Sequence, residues 1–402
     1  MTSFKTNNLS KIILILAIGW ACQNCTEPFE PKTETFESAL VIEATITNEL
    51  KAHEILLSRT FRFEEDGPIT ESGASVSITD DTQNTYLFEE TAPGTYSATA
   101  PFAAEPNREY VLSVTTNDGR AYTSTPTRLT ATTQIDNMYA ERITNDNGVE
   151  GMAIFVDSFD PSGNSQYYRY KYEETYRIIA PRWGPSDLFL DTTVPCGVKI
   201  ERRQTEERTC YTTDLSNSII ITSTNSFTED RVTRFPVRFI NRNNYIMSHR
   251  YTILVKQFVQ SPEAFTFFET LRDFSGSESL FSETQPGFFA GNVTSVDNRD
   301  EKVLGYFDIA SVVERRLFFN YADFFPGEDL PPYIDPCNDS APPLVSRSGS
   351  CVLSVFVANN QIRYLTSNDD AGLGEGPHKV VPRVCGDCTV LGAIEVPEFW
   401  VE

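Results

Sequence analysis

Eight cysteines and three histidines are the residues of this chain with the most distinctive chemistry. Cys22 stands nearest to a defined reaction. Lys5 and Lys11 flank a polar lead, Ile12 to Ile18 form an apolar run, and small Ala21 precedes Cys22. A basic lead, a short apolar run and a small residue at the cut mark a bacterial secretion signal. The run is too short to span a bilayer, which takes about 20 apolar residues. The pattern predicts cleavage before Cys22 and acylation of its thiol. Burying each acyl methylene contributes about 0.8 kcal/mol, so two or more chains anchor stably. Cys25 is a poorer acceptor, because Asn24 precedes it. Gln23 rather than Asp follows Cys22, which by the sorting rule of enterobacteria favours the outer membrane.

Past such a signal the surroundings are oxidising, and the remaining cysteines are expected to pair. Cys196 and Cys210 bracket GVKIERRQTEERT, a charged segment that reads as a long turn or hairpin. They are the expected pair. Cys337, Cys351, Cys385 and Cys388 then have three connectivities, and Cys25 is left near the anchor. The spacing of Cys385 and Cys388 in CGDC matches thioredoxin-like enzymes, where a helix follows and lowers the thiol pKa. Here TVLGAIEVP follows, which is strand-like, so a structural disulfide is expected instead. The lone CxxC has no second pair to complete a zinc site.

No catalytic constellation is legible. No GxSxG surrounds a serine, and no HExxH occurs. His53, His249 and His378 lie in separate strands or loops. Gly372, Gly374 and Gly376 lack the strand-then-helix setting of a phosphate loop, and their neighbours are acidic. Asp80-Asp81, Asp297 to Glu301 and Asn368 to Asp370 offer oxygens to a structural calcium, without EF-hand spacing. Such clusters are more often turns. No metal site and no cofactor are expected beyond that.

The elements that carry these residues read as mainly β. The chain has 402 residues, with 28 Phe and 17 Tyr beside many Thr and Val, which favours strands. The length predicts two or three domains. Residues 1–21 are the signal, and 22–37 a polar tether with Pro28 and Pro31. LVIEATIT from Leu40 alternates as a half-buried strand should. Short strands then recur between turn signals at Asp80-Asp81, Pro93-Gly94 and Asp118-Gly119. They predict an immunoglobulin- or fibronectin-like β-sandwich over 38–128. A larger β-rich domain with disulfide-braced loops follows over 133–402. Its one helix is SPEAFTFFETLRDF, with Ser261 as N-cap, Pro262 first and Gly276 as the stop. Phe265, Phe268 and Leu271 fall on its core-facing side. The closing VPEFW reads as a last strand or a plug into the core. The formal net charge of −23 opposes nucleic acid and anionic lipid surfaces.

Four stretches together resemble the domain-of-unknown-function family 4249, lipoproteins of the Bacteroidota. They are TEPFE with ALVIEATITNE, SGASVSITDD with APGTYSA and REYVLSVTTNDGRAYTSTP, SPEAFTFFETLRDF with NVTSVDNRDEKVLGYFDIAS, and VCGDCTVLGAIEVPEFW. The resemblance implies an outer-membrane lipoprotein at the cell surface. It further implies a non-enzymatic accessory subunit of a TonB-dependent transporter, capturing ligand or capping the barrel. A structural or adhesive envelope protein is the second expectation, and a surface hydrolase the third. The phylum's O-glycosylation pattern fits Thr192 and Ser340. In the proline-rich loop, Phe324, Phe325 and Tyr333 have two readings: partner anchors, because rigid exposed aromatics bury large area at small entropic cost, or rings packed inward beneath the loop.

Overall fold

Residues 38–61, 67–276 and 291–402 are described in the computed structural model. The signal, Cys22, Cys25 and the tether lie outside the described residues. The chain is mainly β, as its composition predicts.

The first strands are β1 (Leu40–Thr47), β2 (Glu54–Arg59), β3 (Ile69–Thr70), β4 (Ser75–Asp80), β5 (Thr85–Ala92), β6 (Thr95–Ala98), β7 (Glu109–Thr115), β8 (Ala121–Ser124) and β9 (Thr127–Arg128). Antiparallel pairing runs in the order β1-β2-β6-β5-β4-β7-β8. The predicted alternation of β1 holds: Leu40, Ile42, Ala44 and Ile46 are buried and Glu43 is exposed. Gly94 makes the β5–β6 turn at φ +72°. A Cβ there would sit 2.6 Å from the Leu57 carbonyl oxygen, so only glycine fits.

The chain continues through β10 (Asn137–Thr144), β11 (Glu150–Asp160), β12 (Tyr167–Ile179), β13 (Ser186–Asp191), β14 (Gly197–Arg202), β15 (Thr209–Leu215), β16 (Ile220–Ser223), β17 (Asp230–Asn241) and β18 (Arg250–Val259). Then come the helix α1 (Pro262–Gly276), β19 (Val293–Ser295), β20 (Val303–Asn320), the short helices α2 (Tyr321–Phe324) and α3 (Leu353–Ala358), β21 (Ile362–Ser367), β22 (His378–Pro382) and α4 (Arg383–Gly386). The predicted N-cap of α1 forms: the Ala264 N–H donates to Ser261 Oγ at 3.1 Å.

The 18-residue β20 joins the two halves. Its first part, Val303 to Ala310, runs parallel to β1, and its second, Ser311 to Asn320, is antiparallel to β18. Gly305 permits the first pairing, because a Cβ on it would strike the Ile42 carbonyl. The sandwich core of Ile55, Ile78, Tyr96, Tyr110 and Tyr122 accordingly takes in Val293, Val303, Phe307 and Ile309 from the returning chain. Residues 38–128 are thus one contributor to that core. The second core lies between the β10-β11-β17 sheet and the β12-β18 face. Glu174 of β12 staples it, accepting from both Arg238 Nε (2.9 Å) and Nη2 (2.8 Å) and from the Tyr251 hydroxyl (2.6 Å).

The expected Cys196–Cys210 bond is not formed. Among the described residues the disulfides are Cys196–Cys351, Cys210–Cys388 and Cys337–Cys385. The hairpin closes one step earlier, β14 pairing with β13 rather than with β15, so Cys196 turns away from Cys210. TVLGAIEVP is not a strand either. A 3-10 turn covers Cys388–Val390, and Ala393 alone bridges to Tyr211. The C-terminal Trp400 packs edge-on against Tyr211 and Phe318 without forming a strand.

Candidate functional site

Strand alternation builds a cleft on the face of the joined sheet that both cores leave uncovered. In β12 the even residues Tyr168, Tyr170 and Tyr172 are core, so Arg169 and Lys171 point the other way. In β20, Phe307 and Ile309 fill the sandwich, so Tyr306 and Asp308 face outward. In β1, Val41, Glu43 and Thr45 do the same. Helix α1 lies along this face. Its Phe265 is buried against Tyr167 with ring centroids 5.1 Å apart, and its Phe268 covers the Arg169 guanidinium at 4.3 Å. Phe267, Phe268 and Leu271 of α1 then close one wall of a cleft of 720 Å³. Val41, Leu56, Leu304 and Tyr306 form the opposite surfaces, with Lys51, His53, Glu43 and Glu54 around them.

Charge is concentrated at the floor. Arg169 is 5 % exposed and stacks between Phe258 and Phe268. Its Nη2 lies 3.4 Å from Asp308 Oδ2, which also accepts from Gln260 Nε2 at 2.9 Å. Burial pushes the Asp308 carboxyl up in spite of Arg169. Arg169 Nε and Gln260 Oε1 are buried without a hydrogen-bond partner. Lys171 makes no ion pair among the described residues. Desolvation in the cleft and the charge of Arg169 hold its pKa down to about 8, against the pull of Glu43 and Asp308. His53 is neutral at ordinary pH, with its pKa lowered to about 4 by burial and by Lys51. Its Nε2 is committed to the Phe102 carbonyl at 3.0 Å. The cleft therefore offers a fixed cationic floor and apolar walls, and its one histidine is held by the backbone rather than by a nucleophile.

The expected partner anchors are not at the surface together. Phe325 is 1 % exposed, stacked on Tyr321 at 4.6 Å, with the Arg142 guanidinium 4.4 Å from its ring. Phe324 packs edge-on against Phe319, and Tyr333 donates its hydroxyl to the Val384 carbonyl at 2.9 Å. These rings pack against the core, so the loop presents no aromatic triad at its surface. Thr192, in the β13–β14 turn, and Ser340 are both exposed.

The remaining motifs are structural. The two CGDC cysteines bond to different partners, and Asp387 between them is fully buried. It accepts from Arg363 Nη2, from Arg383 Nε (2.8 Å) and from the Thr389 N–H (2.9 Å). Asp335 approaches Cys337 and Cys385 as a metal triad would, but those sulfurs are one disulfide and offer no thiolate. The acidic clusters are turns. Asp80 accepts from Thr82, Asn84 and Arg108, which occupies the oxygens a calcium ion would need. Glu301 is engaged by Arg120 and Tyr122, and Asn368 by Gly376. In the glycine loop, Glu375 already accepts from the Gly372 N–H.

Reading motifs one by one missed Arg169, Lys171 and Asp308. The signal for the first two is present in YYRYKYEETY, where cations alternate with tyrosines. That pattern puts the cations on one strand face. Nothing local in YFDIAS tells that Asp308 meets them.

No curated protein matches the chain. The sequence profile of a family described as domain of unknown function (DUF4249) matches residues 26–316, a span that holds every cleft residue named above. The chain belongs to that family.

Proposed function

We propose that the mature chain is a non-enzymatic lipoprotein of the outer membrane, tethered through Cys22 at the cell surface. It acts as an accessory binding subunit for a TonB-dependent transporter and uses the α1 cleft as its ligand seat. The single observation that carries the binding role is the cleft itself. It is open and apolar-walled over fixed charges, and its histidine is bonded to a main-chain carbonyl. Concave sites with apolar walls and a few convergent polar groups are the usual form of ligand pockets. The anchor and the transporter rest on the sequence, through the Cys22 signal and the family resemblance.

The test is extraction of the native protein in mild detergent, followed by identification of what co-elutes. A β-barrel transporter in near-stoichiometric amount is expected. Repeated isolation of the lipoprotein alone would overturn the accessory role, and an unmodified Cys22 on mass analysis would overturn the anchor.

A further inference from the structure

The floor of the cleft carries more than a generic polar lining. Arg169 and Lys171 are two residues apart on β12 and project from the same face. Arg169 has one carboxylate partner, and that partner is shared with Gln260. The Arg169 Nε, in a side chain 5 % exposed, lies unpartnered. Buried polar groups are rarely left so, because each costs about 1–3 kcal/mol when unsatisfied. Lys51 and Lys256 nearby are neutralised by Glu49 and by Glu173 and Glu314. Lys171 is not so engaged among the described residues. It is an ammonium in a partly desolvated cleft with its end in reach of solvent.

The walls set the rest of the ligand. Val41, Leu56, Leu304, Phe267 and Leu271 give apolar surface on either side of the charged floor. Glu43 and Glu54 on the same lining, and the net charge of −23 on the chain, oppose a polyanion. A phosphate or sulfated glycan would carry too much negative charge for one available lysine. A single carboxylate matches it.

Given that the cleft is the ligand seat, we propose that it selects ligands joining one carboxylate to an apolar or aromatic body, the carboxylate on Lys171 and the body between α1 and β1. A free carboxylic acid and the C-terminus of an apolar peptide share this chemistry.

The experiment is titration calorimetry on the full mature lipoprotein in nonionic detergent, with a detergent blank. Two carboxylates, 4-phenylbutyrate and acetyl-diphenylalanine, are compared with their neutral counterparts, 4-phenyl-1-butanol and acetyl-diphenylalanine amide. At least one acid is expected to bind about tenfold or more tighter than its neutral partner, the size of a charge-assisted hydrogen bond. Which acid shows the preference identifies the source. Lys171→Gln should abolish the preference and Lys171→Arg should keep it. Lys171 projects from the β12 face opposite the core tyrosines, so neither change disturbs the core. Equal affinity for acid and neutral probe, or a preference that survives Lys171→Gln, overturns the carboxylate selectivity and leaves the cleft as a ligand seat. Absence of binding by all four probes removes the cleft as well.

Discussion

His53 is 1 % exposed, and its Nδ1 has no hydrogen-bond partner while Nε2 donates to Phe102. Such a ring folds neutral. Burial and Lys51 lower its pKa to about 4, against 6.5 for a free imidazole, and His249 is lowered to about 4 by burial and Arg177. Between these values the unfolded chain binds protons that the folded chain refuses, so stability rises with pH across that window. It is fully present above about pH 6.5 and is lost as the pH falls toward 4. Each group contributes up to about 1.4 kcal/mol per pH unit there. Urea unfolding midpoints should therefore fall steadily from pH 6.5 to 5, before most carboxylates titrate. His53→Gln should remove roughly a third to a half of that slope, the rest coming from His249 and from His378, which burial also lowers. An unchanged slope in the variant would show that the imidazole titrates freely in the folded chain. The same burial explains why His53 is a poor catalytic base although it borders a cleft. A base must be free to accept a proton near the working pH.

At the scale of elements, local rules predicted what local rules control. Ser261 and Pro262 open α1 because capping is decided within a few residues. LVIEATIT predicts one buried face because side chains alternate regardless of which strand lies alongside. What alternation does not contain is the partner. Nothing in KVLGYFDIASVVERRLFFN says that one strand will pair parallel to β1 and then antiparallel to β18, and the cleft exists only because it does. Disulfide pairing failed for the same reason. Cys210 and Cys388 are 178 residues apart and meet only after β15 and the C-terminal segment have docked. Closing so long a loop is worth about 2–5 kcal/mol. The double variant Cys210→Ser, Cys388→Ser should lower the unfolding free energy by that amount in denaturant titrations, with the Asp387 ion-pair hub the first region to lose amide protection. Peptide mapping of the oxidised wild type should recover Cys196–Cys351 and Cys337–Cys385 beside it. A Cys196–Cys210 peptide would refute the β13–β14 arrangement.

Over the whole molecule, β20 decides whether the chain is two domains or one body. The boundary drawn from sequence at residue 128 cuts between strands that are adjacent along the chain, yet the β1 edge is satisfied by residues 303–310. Four side chains of the sandwich core, Val293, Val303, Phe307 and Ile309, come from the same return. A fragment of residues 38–128 would thus lack part of its core and expose the flank of β1, eight residues of unpaired strand with alternating apolar side chains. Open, flat, apolar edges template pairing with other chains. The fragment is expected to elute as oligomers or to precipitate, while the full chain remains monomeric at the same concentration. Supplying residues 291–320 as a separate strand-forming peptide should restore a monomer-sized complex, since it carries β19 and all of β20. A soluble, cooperatively folding fragment of residues 38–128 alone would mean that the sandwich is autonomous. The cleft would then be a junction between two independent bodies. The expected coupling has a functional consequence. If β20 holds both halves in one sheet, the walls of the cleft keep fixed positions before any ligand arrives, and binding does not have to order one half against the other.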